Sequence, residues 1–223
     1  MQERYSRNYP AVSEEEQALL KTKTVCVIGC GGLGGYVINA LARIGVGKLI
    51  LIDCDVFSES NLNRQLINRE DNLGKGKAEE AAFFVKSINS EVETVSFHQM
   101  LTEDNAEDML DGADVVVDAL DNIKGRLTAE RACEKLGLYF VHGAAAGWRS
   151  QVSVIAPGSR SLEKIFPAGL KAKPPAVLPF APGFTASVQV SETLKLLLGR
   201  EDTLEGKLFM ADLQHMTFAT VEL

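Results

Sequence analysis

The sequence predicts a doubly wound α/β domain on a mostly parallel, Rossmann-like sheet, extended by antiparallel strands in its C-terminal half. Two observations carry that prediction. Continuous apolar runs alternate with helical patterns from Thr24 to about Ala146, the grammar of strand–helix–strand units. The first of these runs passes through a glycine-rich turn, Gly29-Cys30-Gly31-Gly32-Leu33-Gly34, directly into a helical pattern.

The elements follow in order. Ser13 with Glu16 three residues later forms a capping box that opens a short helix, "SEEEQALLK". "TVCVIG" is apolar throughout, as a strand buried on both faces must be. "GYVINALARIGV" places Val37, Leu41 and Ile44 at helical spacing, and "KLILID" is a second buried strand. "KAEEAAFFVKSIN" reads as a helix, "EVETVSF" and "ADVVVDAL" as strands, "GRLTAERACEKLG" as a helix and "LYFVHGAAA" as a strand.

After Gly147 the pattern changes. "SQVSVIAP", "GKLFMADL" and "TFATVEL" read as antiparallel strands, and "SVQVSETLKLLLG" as a helix closed by Gly199. Between them "GSRSLEKIFPAGLKAKPPAVLPFAPG" is rich in Pro, Gly and Lys, and long for an inert connection. It reads as a functional crossover or lid.

The chain has 223 residues, a length that suits one sizeable α/β domain. Its net charge of −7 argues against a general nucleic-acid binder. There is no apolar signal core at the start and no membrane-length apolar run, so the expected location is the cytoplasm. Cys26, Cys30, Cys54 and Cys133 are too few and too scattered for a disulfide framework.

Gly29, Gly31 and Gly34 fit the G-x-G-x-x-G fingerprint between a strand and a helix, with Gly32 inside it. Glycines there let backbone N–H groups and the helix N-terminus approach phosphate oxygens. Asp53 ends the second strand, where a carboxylate can accept hydrogen bonds from ribose hydroxyls. The domain thus divides into an N-terminal arm and helix over 1–23, a nucleotide-binding half over 24–146, and the crossover, helix and antiparallel strands over 147–223.

The residues after the fingerprint decide what kind of nucleotide is bound. Asp55, Asn61, Arg64 and Gln65 follow Asp53 within a dozen positions. Lys75 and Lys77 stand at a helix start, where cations can meet a triphosphate. Asp118, Asp121 and Asn122 follow a strand, at the carboxyl edge where doubly wound sheets bind ligands. A carboxylate there can hold Mg2+ between phosphates. These are the parts that stabilise charge during attack at phosphorus, and a hydride-transfer site does not need them.

Taken together, "RYSRNYP", "GCGGLGGYV", "LIDCDVFSESNLNRQ", "LGKGKAEEA", "DALDN" and "GAAAGWRSQVSVI" resemble the ThiF/MoeB/HesA family, bacterial relatives of ubiquitin-activating enzymes. The resemblance runs from about Arg4 to the end and is weakest between Pro157 and Pro182. It implies ATP–Mg2+ binding and adenylation of the C-terminal Gly-Gly of a small ubiquitin-fold sulfur carrier, with pyrophosphate released. By the same resemblance, the glycine loop and Asp53 hold ATP, Asn61 and Arg64 reach the phosphates, and Gln65 supports them. Lys77 matches a phosphate-binding lysine, and Asp121 the Mg2+-linked aspartate with Asn122 beside it. Arg7 matches a residue lent to the partner subunit, which implies a homodimer with composite sites.

Other residues have plainer readings. Asp55 either caps the following turn or supports catalysis. Lys75 reads as a solvated surface lysine and Arg4 as one half of a surface ion pair. His98, His142 and His215 lack metal-ligand company and read as core or edge packing. Cys30 and Cys54 flank the nucleotide site and read as buried, inert thiols.

The chain departs from the family pattern in one respect. Many members carry two C-x-x-C pairs that hold a structural Zn2+, and some keep a crossover cysteine for thioester or persulfide chemistry. No cysteine follows Cys133 here, so neither zinc nor that chemistry is expected. Chemistry would stop at the acyl-adenylate, with sulfur for thiamine, molybdopterin, cysteine or another product supplied through a sulfurtransferase or cysteine desulfurase. The alternatives are adenylation of another carboxylate on a modified tRNA or a peptide, a nucleotide-binding scaffold without turnover, and an NAD-dependent dehydrogenase.

Overall fold

In the computed structural model, residues 2–167 and 176–223 are described. The five expected strands form β1 (Thr24–Ile28), β2 (Lys48–Ile52), β3 (Glu93–Phe97), β4 (Val115–Asp118) and β5 (Tyr139–Ala146). They pair in parallel in the order β3-β2-β1-β4-β5. The sheet continues antiparallel through β6 (Arg149–Ile155), β7 (Lys207–Asp212) and β8 (Thr217–Glu222). The predicted fold class is the observed one.

Alternate strand residues feed two apolar layers. On one face Val25, Val27, Leu49, Leu51 and Val117 meet Val37 and Leu41 of α2 (Gly32–Ile44) and Ala81 and Val85 of the helix Lys77–Ile88. On the other, Cys26, Ile28, Ile50, Val116 and Phe140 meet Met109 and Cys133. Burial of side chains of this size contributes about 1.5–3 kcal/mol each. β1, β2 and β4 are covered on both faces, which is why their central residues are apolar without alternation, whereas the edge strand β3 exposes Glu93 and Ser96.

The seven α-helices of the described chain are α1 (Glu14–Leu20), α2, α3 (Lys77–Ile88), α4 (Ala106–Leu110), α5 (Ile123–Leu136), α6 (Ser161–Ile165) and α7 (Phe180–Leu197). The capping box of α1 is present: Glu16 N–H donates to Ser13 Oγ at 3.2 Å, and Ser13 N–H donates to the Glu16 carboxylate at 2.8 Å. The short α4 and α6 have no signature in the sequence strong enough to predict them.

The start of α7 corrects an expectation. It begins at Phe180, within the segment read as crossover, because Pro182 falls in its first turn. The N–H groups of a first turn have no intrahelical acceptor, so a proline there removes nothing. Residues 168–175 of the predicted crossover lie outside the described residues.

The chain moves outward from β1 to β3 and then crosses back to β4. This creates a switch point between β1 and β4 at the C-terminal edge of the strands, where the connections diverge and leave a crevice. The N-terminal arm packs at the opposite edge. Tyr5 is buried against Gly45, the left-handed cap of α2, and its hydroxyl accepts from Asn89 Nδ2 at 2.8 Å. A Cβ at Gly45 would overlap the Tyr5 ring, so this cap has to be glycine. Arg4, expected in an ion pair, hydrogen-bonds the Asn89 carboxamide instead.

Candidate active site

A cavity of about 1950 Å³ opens at the switch point and extends across β5 and β6 to β7 and β8. Its walls include Gly29, Gly31, Gly32, Asp53, Asp55, Arg64, Gln65, Lys77, Asp121 and Asn122. Most of the residues expected at the nucleotide therefore meet around one space.

The glycine loop shapes one end. Gly29 has φ +98°, and a Cβ there would sit 2.6 Å from the Ala119 carbonyl oxygen. Gly34 brings α2 so close that a Cβ would lie 1.8 Å from the Gly29 carbonyl. Gly34 faces the strand behind it and is absent from the cavity wall, so its part is to seat the helix N-terminus.

Asp53 follows β2. Its carboxylate accepts from Cys30 N–H at 2.7 Å and Asp55 N–H at 2.8 Å, one bond to each oxygen. Burial pushes its carboxyl up, against the pull of Lys77 and those two N–H groups. Each oxygen keeps a second lone pair for a ribose hydroxyl.

Asp55 is the exposed partner of a nearly buried lysine. Lys77 Nζ donates to Asp55 Oδ2 at 2.9 Å, with the lysine side chain 8% exposed and the aspartate 66%. Lys77 N–H also donates to the Asp55 carbonyl at 3.0 Å. Asp55 and Lys77 thus form an ion pair in the cavity wall. Lys75 is exposed as expected, 3.7 Å from Glu80.

Arg64 is held by Ser60 O at 2.9 Å and Asn63 Oδ1 at 2.8 Å, leaving further N–H groups for an anion. Gln65 is buried beneath the glycine loop, and its Oε1 has no hydrogen-bond partner among the described residues. Asn61 lies off the cavity wall, with its carboxamide oxygen accepting from Ser58 N–H at 3.2 Å. Asn122 caps α5 by accepting from Gly125 N–H at 2.8 Å. Beside it, exposed Asp121 interacts with the Asn122 amide at 3.3 Å.

The donor set fits a polyphosphate with a hard cation. Lys77, Arg64 and the loop N–H groups are anion donors, and the Asp121 carboxylate is an oxygen ligand of the kind Mg2+ takes. A second group, Asp53, Cys54 and Asp55, brings its ligand atoms within 4.8 Å of one another. Its carboxylates are already engaged by Cys30, Asp55 and Lys77, so it carries no metal assignment.

Asp118 corrects the sequence reading. It ends β4 fully buried, turned toward α5 and away from the cavity. Its Oδ2 meets Arg126 Nε at 3.1 Å and His142 Nδ1 at 2.7 Å, while Oδ1 accepts from Leu120 N–H at 2.9 Å. His142 was expected as packing, and it is instead the centre of a buried polar group. Cys54 was expected buried and is exposed, whereas Cys30 is buried as read. Burial, the larger effect, and the neighbouring Asp55 and Asp53 push the Cys54 thiol up, so exposure does not make it a ready nucleophile.

The arm places Arg7 on the surface at the far edge of the sheet, on the 3-10 helix Glu3–Asn8 that is anchored by Tyr5. The Tyr5–Gly45 packing fixes that helix beside the N-terminal ends of the strands, away from its own cavity.

With this geometry in place, comparison with known proteins is direct. The ThiF family pattern matches residues 5–223. The chain belongs to the ThiF family. It is 36% identical to the SAMP-activating enzyme E1 of Haloferax volcanii over an alignment of 230 positions that covers 98% of this chain and 84% of that protein. It is 35% identical to the adenylyltransferase and sulfurtransferase MOCS3 of Mus musculus, covering 94% of this chain and 47% of that one. The chain therefore spans about half the length of its MOCS3 relatives. Among solved structures, E. coli MccB with ATP superposes at a TM-score of 0.82 and 22% identity, over 100% of this chain and 72% of MccB. That match shows a shared fold. Among the described residues no helix is long and apolar enough to cross a membrane.

Proposed function

We propose that this ThiF-family protein is an ATP- and Mg2+-dependent adenylyltransferase. Its acceptor is the C-terminal Gly-Gly carboxylate of a small ubiquitin-fold sulfur carrier. The observation that carries this reading is the Asp55-held Lys77 ammonium, facing the glycine loop in a wall shared with Arg64 and Asp121. The naming of relatives at 35–36% identity as activating and adenylyltransferase enzymes supports it.

The step is adenylyl transfer. One carboxylate oxygen of the acceptor attacks the α-phosphorus of ATP, a new P–O bond forms, and the bond to pyrophosphate breaks. The acceptor carboxylate is already ionised near neutral pH, so no general base is needed. Negative charge accumulates on the phosphates, and Lys77, Arg64 and the N-terminus of α2 offset it. Asp121 would hold Mg2+, which would supply shielding of the phosphate charge. Asp53 positions the ribose, and Gln65 supports the loop from below. Catalysis is by position and electrostatics.

Two further features complete the reading. The far-edge position of Arg7 excludes its own cavity, which supports a homodimer in which Arg7 enters the partner's site. No cysteine follows Cys133 in these 223 residues, so a thiol that takes the acyl group or delivers sulfur is supplied from outside them.

ATP–pyrophosphate exchange tests the function. Exchange that requires a Gly-Gly-ending carrier and Mg2+ supports it. Tight NAD binding without ATP binding contradicts it.

A further inference from the structure

The cavity does not stop at the nucleotide. On the face toward α5, a polar diagonal crosses the sheet from Asp118 on β4, through His142 on β5, to Gln151 on β6. The registers Val117↔Val141 and His142↔Ser153 put these side chains on one face, Asp118 beside His142 and Gln151 diagonal to it. Gln151 lines the cavity beyond the glycine loop, next to Met210 of β7. Nothing in the adenylation step uses this diagonal.

Hydrogen-bond polarity along it is determined. Asp118 Oδ2 can only accept, so His142 Nδ1, 2.7 Å away, carries the proton. Arg126 Nε lies 3.1 Å from the same oxygen. His142 is fully buried, with Phe166 edge-on at 5.4 Å between ring centroids, and burial holds its imidazole below the ordinary range despite Asp118. A neutral ring protonated at Nδ1 has a bare Nε2. Gln151 Nε2 stands 3.0 Å from that atom and must donate to it. The Gln151 carbonyl oxygen is thereby turned away from His142, and no described residue donates to it.

Distance says what it meets. Neighbouring strands lie about 4.8 Å apart, so β6 is about 10 Å from β4, a span that roughly three extended residues cover. A carboxylate attacking at the switch point leaves the peptide group roughly three residues before it alongside Gln151. Peptide N–H groups are donors, and the oriented carbonyl is an acceptor.

We propose that His142 is a positioning residue that orients Gln151 as a hydrogen-bond acceptor for one backbone N–H in the extended C-terminal tail of the acceptor protein. This rests on the adenylation reading above. It makes the far half of the cavity a reader of backbone, selecting an extended tail over a folded or bulky carboxylate whatever its side chains are.

Synthetic twelve-residue peptides ending in Gly-Gly provide the probe. In each, one of the last four amides is replaced by an ester, which removes a single N–H. Pyrophosphate release should fall about fivefold in kcat/KM for one ester position and little for the others, the size of one net hydrogen bond. The penalty should vanish in Gln151→Met and in His142→Leu while the KM for ATP stays unchanged. It should persist in His142→Gln, whose carboxamide can still donate to Asp118 and accept from Gln151.

Nitrogen-15 correlation spectra of the intact protein supply an independent check, with His142 protonated at Nδ1 and bare at Nε2 near neutral pH. Turnover of all peptides with no position-specific penalty overturns this inference and leaves adenylation standing. A proton on Nε2 overturns it as well. Absence of pyrophosphate release with every peptide, where a Gly-Gly-ending ubiquitin-fold carrier is turned over, overturns this inference and leaves adenylation standing; absence with both removes the adenylation reading, and this inference with it.

Discussion

Lys77 Nζ lies 2.9 Å from Asp55 Oδ2, and the nearly buried lysine and the exposed aspartate both line the cavity. Neither residue is redundant in this arrangement. Lys77→Ala should lower adenylation by two to three orders of magnitude, because one charge-stabilising contact to the transition state is worth about 3–4 kcal/mol. Asp55→Asn keeps a hydrogen-bond acceptor and should cost far less, mainly in the KM for ATP. Steady-state pyrophosphate release measures both, and equal losses would show that Asp55 does more than aim the lysine.

Cys54 is the one exposed thiol of the four, and it lines the cavity between Asp53 and Asp55. Iodoacetamide should therefore label one thiol per native chain. The reaction should be slow near neutral pH and faster as pH rises, since Cys54 is held above its ordinary range. ATP should slow it by occupying the same wall. Peptide mapping that finds Cys26, Cys30 or Cys133 labelled in the native protein would contradict the burial described here.

His142 makes stability depend on pH. Facing it are Asp118 from β4, Arg126 from α5, Gln151 from β6 and Phe166 after α6. Burial holds the folded imidazole below its ordinary value, so below about pH 6.5 the unfolded chain binds more protons than the folded one. The contribution is present above that value and is lost as pH falls through the folded pKa. Urea denaturation at pH 5 and pH 7.5 should show a larger acid loss in the wild type than in His142→Gln. An equal loss in both would place the acid sensitivity elsewhere.

Arg7 sits on an arm anchored by Tyr5 at the edge of the sheet opposite the cavity. Arg7→Ala and Lys77→Ala homodimers should each be nearly inactive. Mixed dimers should regain activity, since one site then has Arg7 from one chain and Lys77 from the other. No recovery in demonstrably mixed dimers would remove Arg7 from the partner's site.

The parallel half of the fold was legible because strands buried on two faces are apolar throughout and glycine turns mark where they end. That Arg64, Lys77 and Asp121 meet at one cavity was legible because each stands in a local motif after a strand or at a helix start. The Asp118–His142–Gln151 diagonal was not. Its members are separated in sequence and meet only through the β4–β5–β6 register, which no local pattern reveals. The first turn of α7 was hidden by Pro182, and the exposure of Cys54 by its place at the end of an apolar run. Asn61 was assigned to the phosphates by its motif, and here its carboxamide closes the turn at Ser58.

The central claim is transfer of an adenylyl group to a protein carboxylate. The most direct measurement is intact mass spectrometry of a ubiquitin-fold carrier ending in Gly-Gly, after incubation with the enzyme, ATP and Mg2+. The account predicts a mass increase of one adenylyl group, confined to the C-terminus and absent when the terminal glycine is deleted or Lys77 is replaced. ATP consumption with an unmodified carrier, or adenylylation away from the terminal carboxylate, would contradict it.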